Sequence, residues 1–126
     1  MKHLTVEWMA KAEEDFFSAS HLAAAENLTP HNVICFLCQQ AGEKWLKARL
    51  CEDNLPFPKT HDLRQLLLLL KDAYPGWMSL MDQARRLSFY SVSTRYPGDS
   101  ASCEDMQQAL LDMGDVRDLV RTSFGL

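Results

Sequence analysis

With 126 residues, 47% of them hydrophobic and 24% charged, the chain has the makings of one globular domain with one core, residues 1–126. A formal net charge of −4 excludes the global basic footprint of a protein that coats nucleic acid, though not a local basic pocket. The longest strongly apolar run, Leu66 to Leu70, falls far short of the roughly 20 residues that span a bilayer.

The elements follow in chain order. A helix is predicted over about Thr5 to Glu26, where Trp8, Ala12, Phe16, Ala19 and Ala23 share one face. Asp15 projects from the same inward side, and a carboxylate near a core needs a partner, with Lys44, Arg95 or Arg117 as the candidate cations. Thr29-Pro30 supplies an N-cap and a first-turn proline for a second helix running to about Glu52. Its core face holds Ile34, Leu37, Cys38, Ala41, Trp45 and Ala48, with Gly42 alongside. Gln39, Gln40, Glu43, Lys44 and Lys47 form a narrow polar strip, expected to be solvated, with Glu43 and Lys47 as a surface ion pair. Val33 and Phe36 continue that strip at its N-terminal end, as a subunit contact would.

A proline-containing loop, "CEDNLPFPKTHD", leads into a third helix over about His61 to Ala73, with Leu63, Leu66, Leu67 and Leu70 on one stripe. "YPG" ends it, and Trp77, Leu80, Ala84 and Leu87 mark a fourth helical segment. Ser102 and Asp105 form a capping box for the last helix, which turns Met106, Ala109, Leu110, Met113, Val120 and Phe124 inward. No strand alternation occurs. The pattern predicts an all-α fold, an up-and-down bundle of four main helices plus a short one.

Chemistry is sparse. Cys35 and Cys38 form a C-x-x-C, but it lies in an apolar helix without a second pair, so the four cysteines are expected to be structural, buried and reduced. The N-terminal "MKHLTVEWMAKAEED" carries acids where an export signal needs apolar residues, so a cytoplasmic setting is expected. His3, His21, His31 and His61 show no metal-ligand spacing, and no P-loop, dinucleotide fingerprint or nucleophile set is present, so neither metal nor cofactor is expected. His61, at the start of the third helix, can act as acid or base near neutrality. The connection "LSFYSVSTRYPGDSASCEDM", Leu87 to Met106, is longer and more polar than a plain turn, as functional loops are. Within it Arg95 offers a fork of donors for phosphate or carboxylate, and Tyr96 and Tyr90 can stack on a base.

Three stretches in order, "CFLCQQAGEKWLKA", "PKTHDL" and "ARRLSFYSVSTRYPGD", together with Trp8 and Asp15, resemble the HEPN domain family of higher eukaryotes and prokaryotes. The resemblance implies a helical bundle that usually forms a homodimer, with a cleft near the interface. It also implies a minimal nucleotidyltransferase partner in a toxin–antitoxin-type pair. Ribonuclease members carry an arginine followed four to six residues later by histidine. Arg95 stands at the arginine position here, but Asp99, Ser100 and Ala101 stand where the histidine belongs. The expected function is therefore binding of a nucleotide or short RNA through Lys44, Lys47, Arg95 and Tyr96, with Asp15, Gln40 and Glu43 in support. The alternatives are a metal-independent ribonuclease using Arg95 with His61, and a purely structural interaction protein.

Overall fold

The structure is a computed structural model that describes residues 1–92, 94 and 96–126. Its elements are α1 (His3–Ala23), α2 (His31–Glu52), α3 (Leu63–Leu69), a 3-10 helix (Pro75–Leu80), α4 (Met81–Phe89) and α5 (Cys103–Ser123). No strand occurs among the described residues, and the helices form the expected all-α bundle. No described helix is long and apolar enough to cross a membrane.

The organising element is α2, which packs against α1, α3, α4 and α5. Packing against four other helices explains its composition. Ile34, Cys35, Cys38, Ala41, Trp45, Leu46, Ala48 and Leu50 are fully buried, and Gly42 lets α3 and α4 approach. A Cβ at Gly42 would lie 2.9 Å from Leu63 Cδ2 and 3.3 Å from Leu87 Cδ1. A larger residue there must push two core leucines aside.

Several boundaries differ from the sequence reading, each for a local reason. Helix α1 stops at Ala23, where the cap N–H closes a tight last turn. Pro30 is itself the N-cap of α2, and no side chain caps that end, so Thr29 does not serve. Helix α3 is only seven residues long because Asp62, not a residue before His61, is its N-cap, and it gives way after Leu69. The fourth segment divides into the 3-10 turn and α4. The Ser102–Asp105 capping box is present in full, with Asp105 N–H donating to Ser102 Oγ at 3.0 Å and Ser102 N–H to Asp105 Oδ2 at 2.9 Å. Just before it, Ala101 N–H donates to Asn32 Oδ1 at 2.6 Å and ties the end of the long connection to the start of α2. Gly98 takes a φ of 101°, which L side chains rarely adopt, and so turns the connection. Cys35 and Cys38 are buried, but Cys51 is half-buried and Cys103, in the first turn of α5, is exposed.

The leucine run tests this packing directly. Leu66 is fully buried and Leu68 is 55% exposed, two residues apart on one helix. Leu66→Ala is expected to cost about 2–5 kcal/mol and Leu68→Ala within about 0.5 kcal/mol, read from urea unfolding midpoints. Equal losses would mean that α3 does not present this face to α2.

Candidate nucleotide site

The polar strip of α2 is not solvated. Gln39 is fully buried, and Glu43 and Lys47 are 3% and 7% exposed, because α1 and the loop before α3 cover them. Glu43 organises the group. Its Oε1 accepts from Gln39 Nε2 at 3.0 Å and lies 2.9 Å from His61 Nδ1, while Oε2 accepts from Lys47 Nζ at 2.9 Å. Burial alone would push the Glu43 carboxyl up, but the hydrogen bonds of Lys47, Gln39 and His61 and the charge of Lys47 outweigh it. The group is held below the ordinary value of 4.5. Gln39 Nε2 also donates to the His61 carbonyl at 2.9 Å, so α2 grips both the ring and the backbone of that residue. Gln40 donates to Gln39 Oε1 at 2.7 Å and completes the chain.

Beside this network opens a cavity of about 630 Å³, in the size range of small-molecule sites. Its wall comes from His61, Asp62 and Arg64 at the start of α3, from Arg85, Arg86, Ser88, Phe89 and Tyr90 of α4 and its cap, and from Asp105, Gln108 and Asp112 of α5. Asp112 is almost fully buried. It accepts a two-pronged contact from Arg86, Nε to Oδ2 at 2.8 Å and Nη2 to Oδ1 at 2.9 Å, plus Gln108 Nε2 at 2.9 Å. The Asp112 carboxylate raises the affinity of Arg86 for its proton further. Asp62 caps α3 through Arg64 N–H at 3.0 Å and pairs with the Arg64 guanidinium. Ser88 pins α3 to α4, since its Oγ accepts from Leu63 N–H at 2.9 Å and donates to the Ala84 carbonyl at 2.6 Å. Arg85 is exposed and has no ion-pair partner among the described residues. Tyr90 and Cys35 back the wall. Burial first, then neighbouring Asp105, pushes the Cys35 thiol up to about 11, and burial likewise keeps the Tyr90 phenol protonated. Neither group is poised for redox or proton-transfer chemistry.

Of the residues singled out in the sequence, His61 lines the cavity and Glu43 supports it directly. Lys44 and Lys47 do not line it. Lys44 Nζ pairs with Asp15 Oδ2 at 2.6 Å, which identifies the partner of Asp15, whereas Arg117 pairs with Glu13. Lys47 is committed to Glu43, with its ammonium 5.5 Å from the Trp8 ring centroid and 5.8 Å from that of Phe57. Tyr96 is exposed and is not part of the wall. Arg95 lies outside the described residues. The cavity residues that sequence reasoning did not single out include Arg64, Arg85, Arg86, Ser88, Phe89, Gln108 and Asp112. The one local signal among them is the i,i+4 spacing of Gln108 and Asp112.

A helical bundle built on a central, largely buried helix, with a polar cavity beside it, defines the class of protein. Residues 5–123 match the HEPN domain model, and the chain belongs to that family. The fold is that of the crystal structure of an archaeal HEPN homologue, with a TM-score of 0.73 at 21% identity over 98% of each chain. No curated protein matches the sequence.

The buried pair dictates a pH response. A carboxyl whose folded pKa is depressed contributes stability that is fully present above its unfolded value and is lost as pH falls through the folded one. Glu43→Gln also strands the Lys47 ammonium, so it is expected to cost about 3–5 kcal/mol at pH 7. That deficit should shrink steadily below about pH 4.5, measured by urea unfolding across the acid range. A deficit independent of pH would mean that Glu43 is not ionised in the folded chain.

Proposed function

We infer that this HEPN-domain chain binds a nucleotide or a short RNA in the cavity between α3, α4 and α5. One observation carries the reading. Arg85 stands, with no ion-pair partner among the described residues, on the wall of a cavity of about 630 Å³ that also holds Arg86 and an imidazole fixed from behind by a buried carboxylate. Arg86 commits Nε and Nη2 to Asp112 and has its remaining Nη1 for an anion. The Phe89 ring, 62% exposed, lines the same cavity. Family membership supports the wider setting: a cytoplasmic homodimer that works with a minimal nucleotidyltransferase chain in a toxin–antitoxin-type pair.

A second reading rests on the His61–Glu43 contact. A histidine oriented by a carboxylate at a cavity mouth is the arrangement of a general acid–base, which suits a metal-independent ribonuclease working with Arg95. Incubation with total RNA separates the readings. Cleavage by the wild type that is lost in both Arg95→Ala and His61→Phe supports catalysis, and cleavage by all three proteins alike excludes it.

Binding itself is tested by thermal unfolding with ATP, GTP or a short RNA. At a hundredfold excess over Kd a bound ligand adds about 2.7 kcal/mol, a rise in Tm of several degrees. Arg85→Ala is expected to keep the wild-type Tm without ligand and to lose most of that rise, since the side chain is exposed and has no ion-pair partner among the described residues. No rise for any of the three ligands contradicts the proposal. Assembly is read by light scattering, where the wild type should have twice the chain mass and Phe36→Asp the mass of one chain, because the charge would be desolvated at the subunit contact.

A further inference from the structure

Resting on the nucleotide-binding reading, we propose that His61 presents its Nε2 as a hydrogen-bond acceptor that recognises a ribose hydroxyl, with buried Glu43 as its positioning residue. The argument starts from donor and acceptor bookkeeping. Glu43 is ionised and can only accept, so the proton on His61 must sit on Nδ1, 2.9 Å from Glu43 Oε1. Gln39 holds the His61 carbonyl at the same time, so the backbone that carries the ring is tied to α2 as well. The ring nitrogen left over, Nε2, then carries a lone pair. It has no partner among the described residues, and the side chain is 66% exposed on the cavity wall.

The carboxylates of the cavity already hold donors. Asp112 takes Arg86 twice and Gln108 once. Asp62 takes the Arg64 backbone and the Arg64 guanidinium. Asp105 closes the capping box of α5. Nε2 of His61 is thus an acceptor without a partner among the described residues, held in place for a bound molecule that offers an O–H. Phosphate at pH 8 offers none, and Arg85 and Arg86 supply the donors that phosphate requires. A nucleotide seated with its phosphates on these arginines has its donors outside the base on the sugar, as the 2′- and 3′-hydroxyls. The site therefore takes ribonucleotides in preference to their deoxy counterparts.

Two measurements at pH 8, above the range in which an imidazole ordinarily holds a second proton, test the proposal. Ring nitrogen chemical shifts from 15N-labelled protein should show His61 protonated on Nδ1 and bare on Nε2. The reverse tautomer overturns the proposal whether or not any ligand binds. Titration with ATP, 2′-deoxy-ATP and 3′-deoxy-ATP should then show ATP bound about fivefold more tightly than one of the deoxy forms, the worth of one hydrogen bond. Which of them is weakened identifies the hydroxyl. His61→Phe, which removes Nε2 together with the Nδ1 contact to Glu43, should bind all three alike at the weaker wild-type level. Equal wild-type affinity for the three overturns the ribose assignment while leaving nucleotide binding intact. Absence of binding by all three removes the nucleotide reading and this inference with it.

Discussion

A buried carboxylate in the middle of the central helix sets the terms for the whole molecule. Glu43 can stay ionised inside α2 only because every lone pair that matters meets a donor: Lys47 and Gln39 from its own helix, and His61 from the segment entering α3. Leaving such a charge without partners would cost several kcal/mol. The folding of the proline-rich loop against α2 and the ionisation of Glu43 are therefore one event. The loop's last residues, His61 and Asp62, are delivered in a fixed orientation, and Asp62 then starts α3 as its N-cap.

The second ion pair repeats the device between α4 and α5. Asp112 of α5 is as buried as Glu43 and is reached by the guanidinium of Arg86 in the geometry that suits a planar fork. The cavity wall includes Asp112 with Arg86, and His61, which Glu43 holds from behind. What remains for a ligand is the outer layer: the Arg85 guanidinium, the third nitrogen of Arg86 and the far side of the His61 ring. Rigid support beneath a thin uncommitted layer is how a small helical domain orders a polar site without a metal or a sheet edge.

How much of this was legible in the sequence follows from the physics of each element. Helices α1 and α5 show their period because one face of each meets solvent. Ser102 and Asp105 announce the start of α5 through a purely local exchange of hydrogen bonds. Helix α2 misleads for the opposite reason. A strip of Gln39, Glu43 and Lys47 on a helical wheel looks solvated, but a helix packed against four others can bury such a strip when its members neutralise one another. The wheel records spacing and cannot record the loop that covers it. Likewise, the Asp112–Arg86 pair joins residues 26 positions apart, and the Ser88 staple joins residues 25 apart, beyond the reach of any periodicity. His61 was visible as a titratable residue at a helix start. Its partner was not, because 18 residues of loop and helix separate the two.

The coupling between Glu43 and His61 is the quantity on which the account stands. A double-mutant cycle with Glu43→Gln, His61→Phe and the double variant, read as unfolding free energy at pH 7, measures it. An interaction energy of about 1–3 kcal/mol is predicted for two groups sharing one hydrogen-bond network. Strictly additive losses would mean that the imidazole is not held by the buried carboxylate, and the cavity would lose the element that orders it.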